Sequence, residues 1–148
     1  MTNREKYNFD YFTIAHYDEL VKLAVENGFT FLTYADELLK SDRKEILWRH
    51  DVEFSPDIAL KMAKIERKYG VKATYFFQIH SEFYNVLETY FSDILKQIQS
   101  LGHEIGLHFD AHYYHIETQD ALDKYIALDR DYFEQVMGGG KTKSIFVP

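Results

Sequence analysis

Two short stretches carry side chains whose types and spacing suit hydrolytic chemistry: Arg49-His50-Asp51-Val52-Glu53 and His108-Phe109-Asp110-Ala111-His112. On a helical turn, residues four apart face the same way, so His108 and His112 can bind one metal together. A carboxylate from a neighbouring loop completes two nitrogens and one oxygen and leaves positions open for water. That donor set belongs to catalytic rather than structural metal sites. Asp51 alone at a strand end reads as a loop cap or ion-pair partner. Asp51 and Glu53 together, beside such a histidine pair, favour the functional reading.

Other motifs fail on spacing. His103-Glu104-Ile105-Gly106-Leu107-His108 has one residue too many for HExxH, and its glycines and β-rich character do not suit the helix that motif needs. Gly138-Gly139-Gly140-Lys141-Thr142 resembles the tail of a phosphate loop, but the position of the first required glycine is Gln135 and the run follows a helix. No GxSxG elbow is present, and the absence of cysteine excludes thiol nucleophiles, thiolate zinc sites and disulfides. His103 is expected to be structural, bonded near a helix–strand corner. His16, His80 and His115 read as surface residues, with His80 at the end of the second β-rich run beside the same mouth.

The elements that must position these groups follow from hydrophobic patterning. β-rich runs at Ile46–Asp51, Val71–Ile79, His103–His108 and Ser144–Val147 alternate with amphipathic helical segments. Ser55-Pro56 starts the first such helix, with Ile58, Met62, Ile65 and Tyr69 as its stripe and Gly70 as its stop. Ser92 is the expected N-cap of the second, which carries Ile94, Leu95, Ile98 and Leu101 to Gly102. Leu122, Ile126, Phe133 and Val136 mark the third, ended by Gly138–Gly140. This alternation predicts an α/β fold of about four parallel strands with right-handed crossovers, so that all strand C-termini share one edge. Residues 1–44 read as an N-terminal helical extension packed on the 45–148 domain, with helices at Tyr17–Asn27 (Leu20, Leu23, Ala24) and Tyr34–Leu39.

Composition bounds the setting. The 148 residues carry 17 basic and 24 acidic side chains, a net charge of −7, with no basic run. This argues against nucleic acid or an anionic membrane as partner. No apolar stretch is long enough for a transmembrane helix, and no signal peptide is evident, so a cytoplasmic globular protein is expected. Aromatic content of 17% argues against disorder.

The stretches Arg-His-Asp-Val-Glu-Phe-Ser-Pro (49–56), Lys-Ala-Thr-Tyr-Phe-Phe (72–77) and Leu-Gly-His-Glu-Ile-Gly-Leu-His-Phe-Asp-Ala-His (101–112) resemble the polysaccharide deacetylase family, the NodB-homology or carbohydrate esterase family 4 group. The N-terminal portion resembles the extension on relatives encoded with surface-polysaccharide genes. The resemblance implies a distorted (β/α) barrel, here a partial one of the NodB-homology type. His108 and His112 match its metal-binding histidines, and Phe109 stands where the family has a non-ligating Ser or Thr. The family's adjacent Asp-Asp is replaced by Asp51-Val52-Glu53, which implies Asp51 as catalytic base and Glu53 as metal carboxylate. An alternative register makes Asp51 the ligand. Alternate residues of an extended end share a side, so 51 and 53 converge while His50 points away, which favours the first register.

The implied reaction is hydrolysis of an N- or O-acetyl group on a carbohydrate, assisted by a divalent metal, zinc in this reading. The family's later R-x-P and L-x-H motifs have no counterpart before Pro148, and the family barrel has more strands than the four candidates here. Three further expectations follow. One is a truncated relative with weak or no turnover. Another is self-association as a homo-oligomer that covers the Ser144–Val147 edge. The third is hydrolysis of amide bonds in small cyclic ureides or imides on a similar fold.

Overall fold

The computed structural model describes residues 6, 12–36 and 44–148. Its described elements are α1 (Ile14–Glu26), β1 (Thr30–Leu32), β2 (Glu45–Leu47), β3 (Arg49–Val52), α2 (Pro56–Lys68), β4 (Thr74–Phe77), α3 (Thr89–Ser100), β5 (Glu104–His108), α4 (Ala111–Tyr114), α5 (Gln119–Val136) and β6 (Ile145–Phe146). Four strands form one parallel sheet in the order β3-β4-β5-β6, and β1 pairs in parallel with β2. The βα alternation therefore builds the parallel α/β architecture that the sequence announces, and its form is that of a partial barrel.

Period-two alternation gives the sheet two different faces. Val52, Tyr75, Phe77, Ile105 and Leu107 join Ala59 and Ala63 of α2, Ile94, Leu95 and Ile98 of α3 and Phe133 of α5 in one core. The register pairs Asp51 with Phe76, Phe76 with Gly106 and His108 with Phe146, placing these residues together on the opposite face. Gly106 is required there by packing, because a Cβ would stand 2.5 Å from Cε1 of Phe76.

Helix starts follow their capping residues. Ser55 accepts from the Ile58 amide with Pro56 in the first turn, and Thr118 accepts from the Ala121 amide at the head of α5. Gly70 follows α2 at φ +71°, a left-handed conformation that glycine takes without penalty.

Several details depart from the sequence expectations. The run Ile46–Asp51 is two strands broken at Trp48, where the chain changes partner: the Trp48 amide donates to Leu32 O, and its carbonyl accepts from the Thr74 amide. Beside the helix expected in the N-terminal region stands β1, which pairs with β2. The buried face of α2 is Ala59, Ala63 and Glu66 rather than the larger stripe at Ile58, Met62, Ile65 and Tyr69. Small residues there let the helix approach the sheet. On α1 it is Val21 that is buried, while Leu20 and Leu23 are exposed. Helix α3 starts at Thr89, so Ser92 lies within its first turn and donates to Thr89 O instead of capping. The second half of the helix expected at Tyr34–Leu39 lies outside the described residues, and residues 34–36 form a turn and bend. Among the described residues, no helix is long and apolar enough to cross a membrane.

Candidate active site

The C-terminal ends of β3 and β5 bring two of the sequence-derived residues together. Oε1 of Glu53 lies 3.6 Å from Nε2 of His108. The side chain of His108 is 5% exposed and that of Glu53 is 47% exposed, so the pair stands with the imidazole buried and the carboxylate facing outward. The separation is too long for a direct hydrogen bond. It is close to the distance of about 3.4 Å between two donors that each sit about 2.1 Å from one tetrahedral ion. Nδ1 of His108 is also without a partner, the one such buried side-chain polar atom among the described residues. A buried polar atom without a partner is costly, and an ion held between Glu53 and Nε2 would leave Nδ1 as it is. The spacing of Glu53 Oε1 and His108 Nε2 alone is that of two donors to one divalent ion.

The other two residues are placed differently. Asp51 accepts from Nη2 of Arg49 at 2.6 Å, two positions earlier on the same face of β3. The Arg49 guanidinium is in turn held 3.9 Å from the centroid of Phe146. Asp51 and Glu53 line one cavity of about 450 Å³ along β3 and α2, together with His50, Tyr75, Ile58 and Met62, and His108 is not part of its lining. His108 ends β5 while His112 belongs to α4, so the two histidines do not share a helical turn. The His112 side chain is 95% exposed, with Nδ1 3.6 Å from Oδ1 of Asp110. Among the described residues, no group of three or more metal-donor side chains is assembled.

On the other side of β3, a polar hub forms around Glu66. Nε2 of His50 donates to Oε1 of Glu66 at 2.6 Å, Tyr17 donates to the same oxygen, and Tyr75 donates to Oε2 at 2.6 Å. Trp48 Nε1 donates to the Tyr17 hydroxyl at 3.0 Å. Burial pushes the Glu66 carboxyl up, but the bonds and charge of His50 and the two tyrosine hydroxyls outweigh it and hold it below the usual carboxylate value. Burial and the Glu66 charge push both tyrosines well up. His103 is structural as expected: Nε2 donates to Ala63 O, and Nδ1 accepts from the Ala73 amide. Burial holds its pKa below the ordinary imidazole value.

His80 is not a free surface residue. Its Nε2 lies 2.8 Å from the Tyr114 hydroxyl and 3.2 Å from Oδ1 of the buried Asp129, and its ring stacks on Tyr113 at 3.8 Å. Tyr114 also donates to Asp129, so α5 anchors the turn that carries His112. The sequence signal for Asp129 was its place between Ile126 and Phe133 on the inward side of α5. The signal for Glu66 was its spacing from Ala59 and Ala63, a small-residue stripe easily passed over in favour of the larger one.

The sequence profile of the polysaccharide deacetylase family matches residues 40–148. This chain belongs to the polysaccharide deacetylase family. The family match includes Asp51, Glu53, His108 and His112 and leaves α1 outside it. No curated protein matches the chain. Among solved structures, the fold is similar to that of the Streptococcus pyogenes deacetylase PplD in complex with acetate, with a TM-score of 0.66 and 16% identity. The match covers 89% of this chain and 61% of that one, so this chain spans less than two thirds of that deacetylase's length. At that identity the likeness establishes the fold.

Proposed function

We propose that this polysaccharide deacetylase relative is a metal-dependent hydrolase that removes acetyl groups from sugars or polysaccharide precursors. The observation that carries the reading is the Glu53–His108 pair, a buried imidazole whose Nε2 faces a carboxylate 3.6 Å away at the C-terminal edge of a parallel sheet. Glu53 and His108 would hold the divalent metal, zinc in this reading, and His112 would be the third donor. When bound, the metal supplies a Lewis acid for the acetyl carbonyl and the attacking water. Asp51 accepts the proton of that water. Arg49 keeps the Asp51 carboxylate in one orientation, and Phe146 beneath the guanidinium limits its movement. The deciding experiment follows acetate release from acetylated chitooligosaccharides by the zinc-loaded protein and by Asp51→Asn. Release that depends on Asp51 supports the proposal, and equal release by both proteins contradicts it.

A second reading, a metal-binding relative with weak turnover, is favoured by the exposure of His112. The outer side of β6 has no neighbour among the described strands, and we propose self-association along that edge. Light scattering that finds a monomer would contradict this.

A further inference from the structure

His112 stands on a turn that cannot hold itself. A helix of 4 residues, Ala111–Tyr114, is far below the length at which helical hydrogen bonds sustain a conformation. His115 closes it at φ +49°, a left-handed conformation that a residue with a Cβ keeps only where its surroundings impose it. Those surroundings meet at Tyr114. Its ring stacks on Phe109 at 5.8 Å and on Tyr125 at 4.1 Å, and its hydroxyl donates to Oδ1 of Asp129. Burial and that bond push the Tyr114 hydroxyl well above its usual pKa, so it remains a donor. Asp129 is 1% exposed and lies one turn before Phe133, by which α5 joins the core, so it is a fixed point. Nε2 of His80, from the loop after β4, lies 3.2 Å from the same Oδ1 and 2.8 Å from the hydroxyl, and the His80 ring stacks on Tyr113 at 3.8 Å. Both residues that follow His112 in the turn are thus held from outside it.

We propose that Asp129, acting through Tyr114 and braced by His80, positions His112 relative to His108 and so sets the metal affinity of the site, an inference that rests on the metal reading above. Phe109 directly follows His108 and is fully buried, so its stack with Tyr114 ties the turn to the strand end that carries the first histidine. Stacked rings limit how far the turn can stand from the strand, but they allow it to slide and tilt. The hydrogen bond to Asp129 has a direction and removes that freedom. Cohesion alone does not ask for a buried carboxylate here, because apolar packing in place of a buried charge is often as stable or more so. A directional acceptor defines an orientation, which apolar packing does not. Asp129, Tyr114 and His80 are positioning residues, and the donors remain Glu53, His108 and His112.

The test is titration of the metal-free protein with cobalt(II), followed by the visible absorption of the bound ion, for the wild type, Tyr114→Phe, Asp129→Ala and Asp129→Asn. Tyr114→Phe keeps the stacked ring and removes only the hydroxyl, so it decides the matter even if Asp129→Ala fails to fold. Tyr114→Phe and Asp129→Ala are expected to weaken cobalt binding at least about tenfold. Asp129→Asn keeps an acceptor for Tyr114 and is expected to stay within about threefold of the wild type. Amide hydrogen exchange in the metal-free protein is measured alongside. In Tyr114→Phe it is expected to quicken at least about tenfold across residues 111–115 and to stay unchanged in β5. Unchanged cobalt affinity in Tyr114→Phe overturns the proposal. Exchange that quickens equally in β5 marks general loosening and overturns it too, as does Asp129→Asn binding no better than Asp129→Ala. A wild type that binds no cobalt overturns the metal reading, and the exchange data then decide separately whether the cluster holds the turn. Cobalt binding by the wild type with affinity and exchange both unchanged in Tyr114→Phe overturns the positioning alone.

Discussion

The two sides of β3 hold similar chemical groups in opposite conditions. His50 faces α1 and α2, where Glu66 receives hydrogen bonds from three side chains and is fully buried. Glu53 and His108, at the strand ends on the other side, are again a carboxylate and an imidazole, yet no hydrogen bond joins them and Nδ1 of the imidazole has no partner. A buried polar group that is fully satisfied stabilises the fold and has nothing left to offer a ligand. One that is left unsatisfied costs stability and remains available for binding. The hub therefore reads as architecture, and the strand-end pair reads as chemistry.

Substitutions at the hub should break this comparison most visibly. Glu66→Ala leaves His50, Tyr17 and Tyr75 without their shared acceptor and is expected to cost about 3–5 kcal/mol in urea unfolding. A cost within experimental error would show that the hub is not what secures β3 to the two helices. Tyr17→Phe removes one bond to a charged acceptor and the acceptor of Trp48 Nε1, and should cost about 1.5–3 kcal/mol. Because Tyr17 lies outside the family match, that loss would show that α1 contributes to the stability of the matched domain.

Acidification should sharpen the same contrast. His103 is held below its ordinary value of 6.5, so the unfolded chain takes up a proton there before the folded chain does. Stability should therefore begin to fall as the pH drops below 6.5. Glu66 is held below its ordinary value of 4.5, and the stability it contributes is present above 4.5 and lost as the pH falls through its folded value. Urea midpoints measured from about pH 7.5 to about pH 2.5 check both signs, and a flat profile contradicts them. The smallest effect on stability is expected at Glu53→Gln, within about 0.5 kcal/mol, because that side chain is half exposed and makes no side-chain hydrogen bond.

The four-stranded parallel sheet and the strand-end position of the site were legible because β-rich runs, Ser-Pro and Thr caps and glycine stops are local signals. The alternation within β3 was legible too, since it needs only the strand's period of two: His50 pairs with Tyr75 and Asp51 with Phe76, on opposite faces of the sheet. The partners of polar groups were not legible. Glu66 looked like one more charged residue on α2, and only the approach of α1 turns it into an acceptor for Tyr17. The face of α1 was misjudged for the same reason: Tyr17 selects it through a hydroxyl, which hydropathy does not weigh. The exchange of β1 for β4 at Trp48 depends on tertiary hydrogen bonds and leaves no periodic trace in the sequence. His80 looked superficial because its acceptor, Asp129, lies 49 residues away on α5.

The central claim is that the unsatisfied side of β3 holds a metal. Its most direct test is the zinc content of the purified protein after equilibration with zinc and removal of the free ion, measured by mass spectrometry. The wild type is expected to retain one zinc per chain, Glu53→Gln and His108→Ala to lose it, and Asp51→Asn to keep it. Unchanged zinc in both Glu53→Gln and His108→Ala would contradict the claim, and loss in Asp51→Asn with retention in Glu53→Gln would exchange the roles of the two carboxylates.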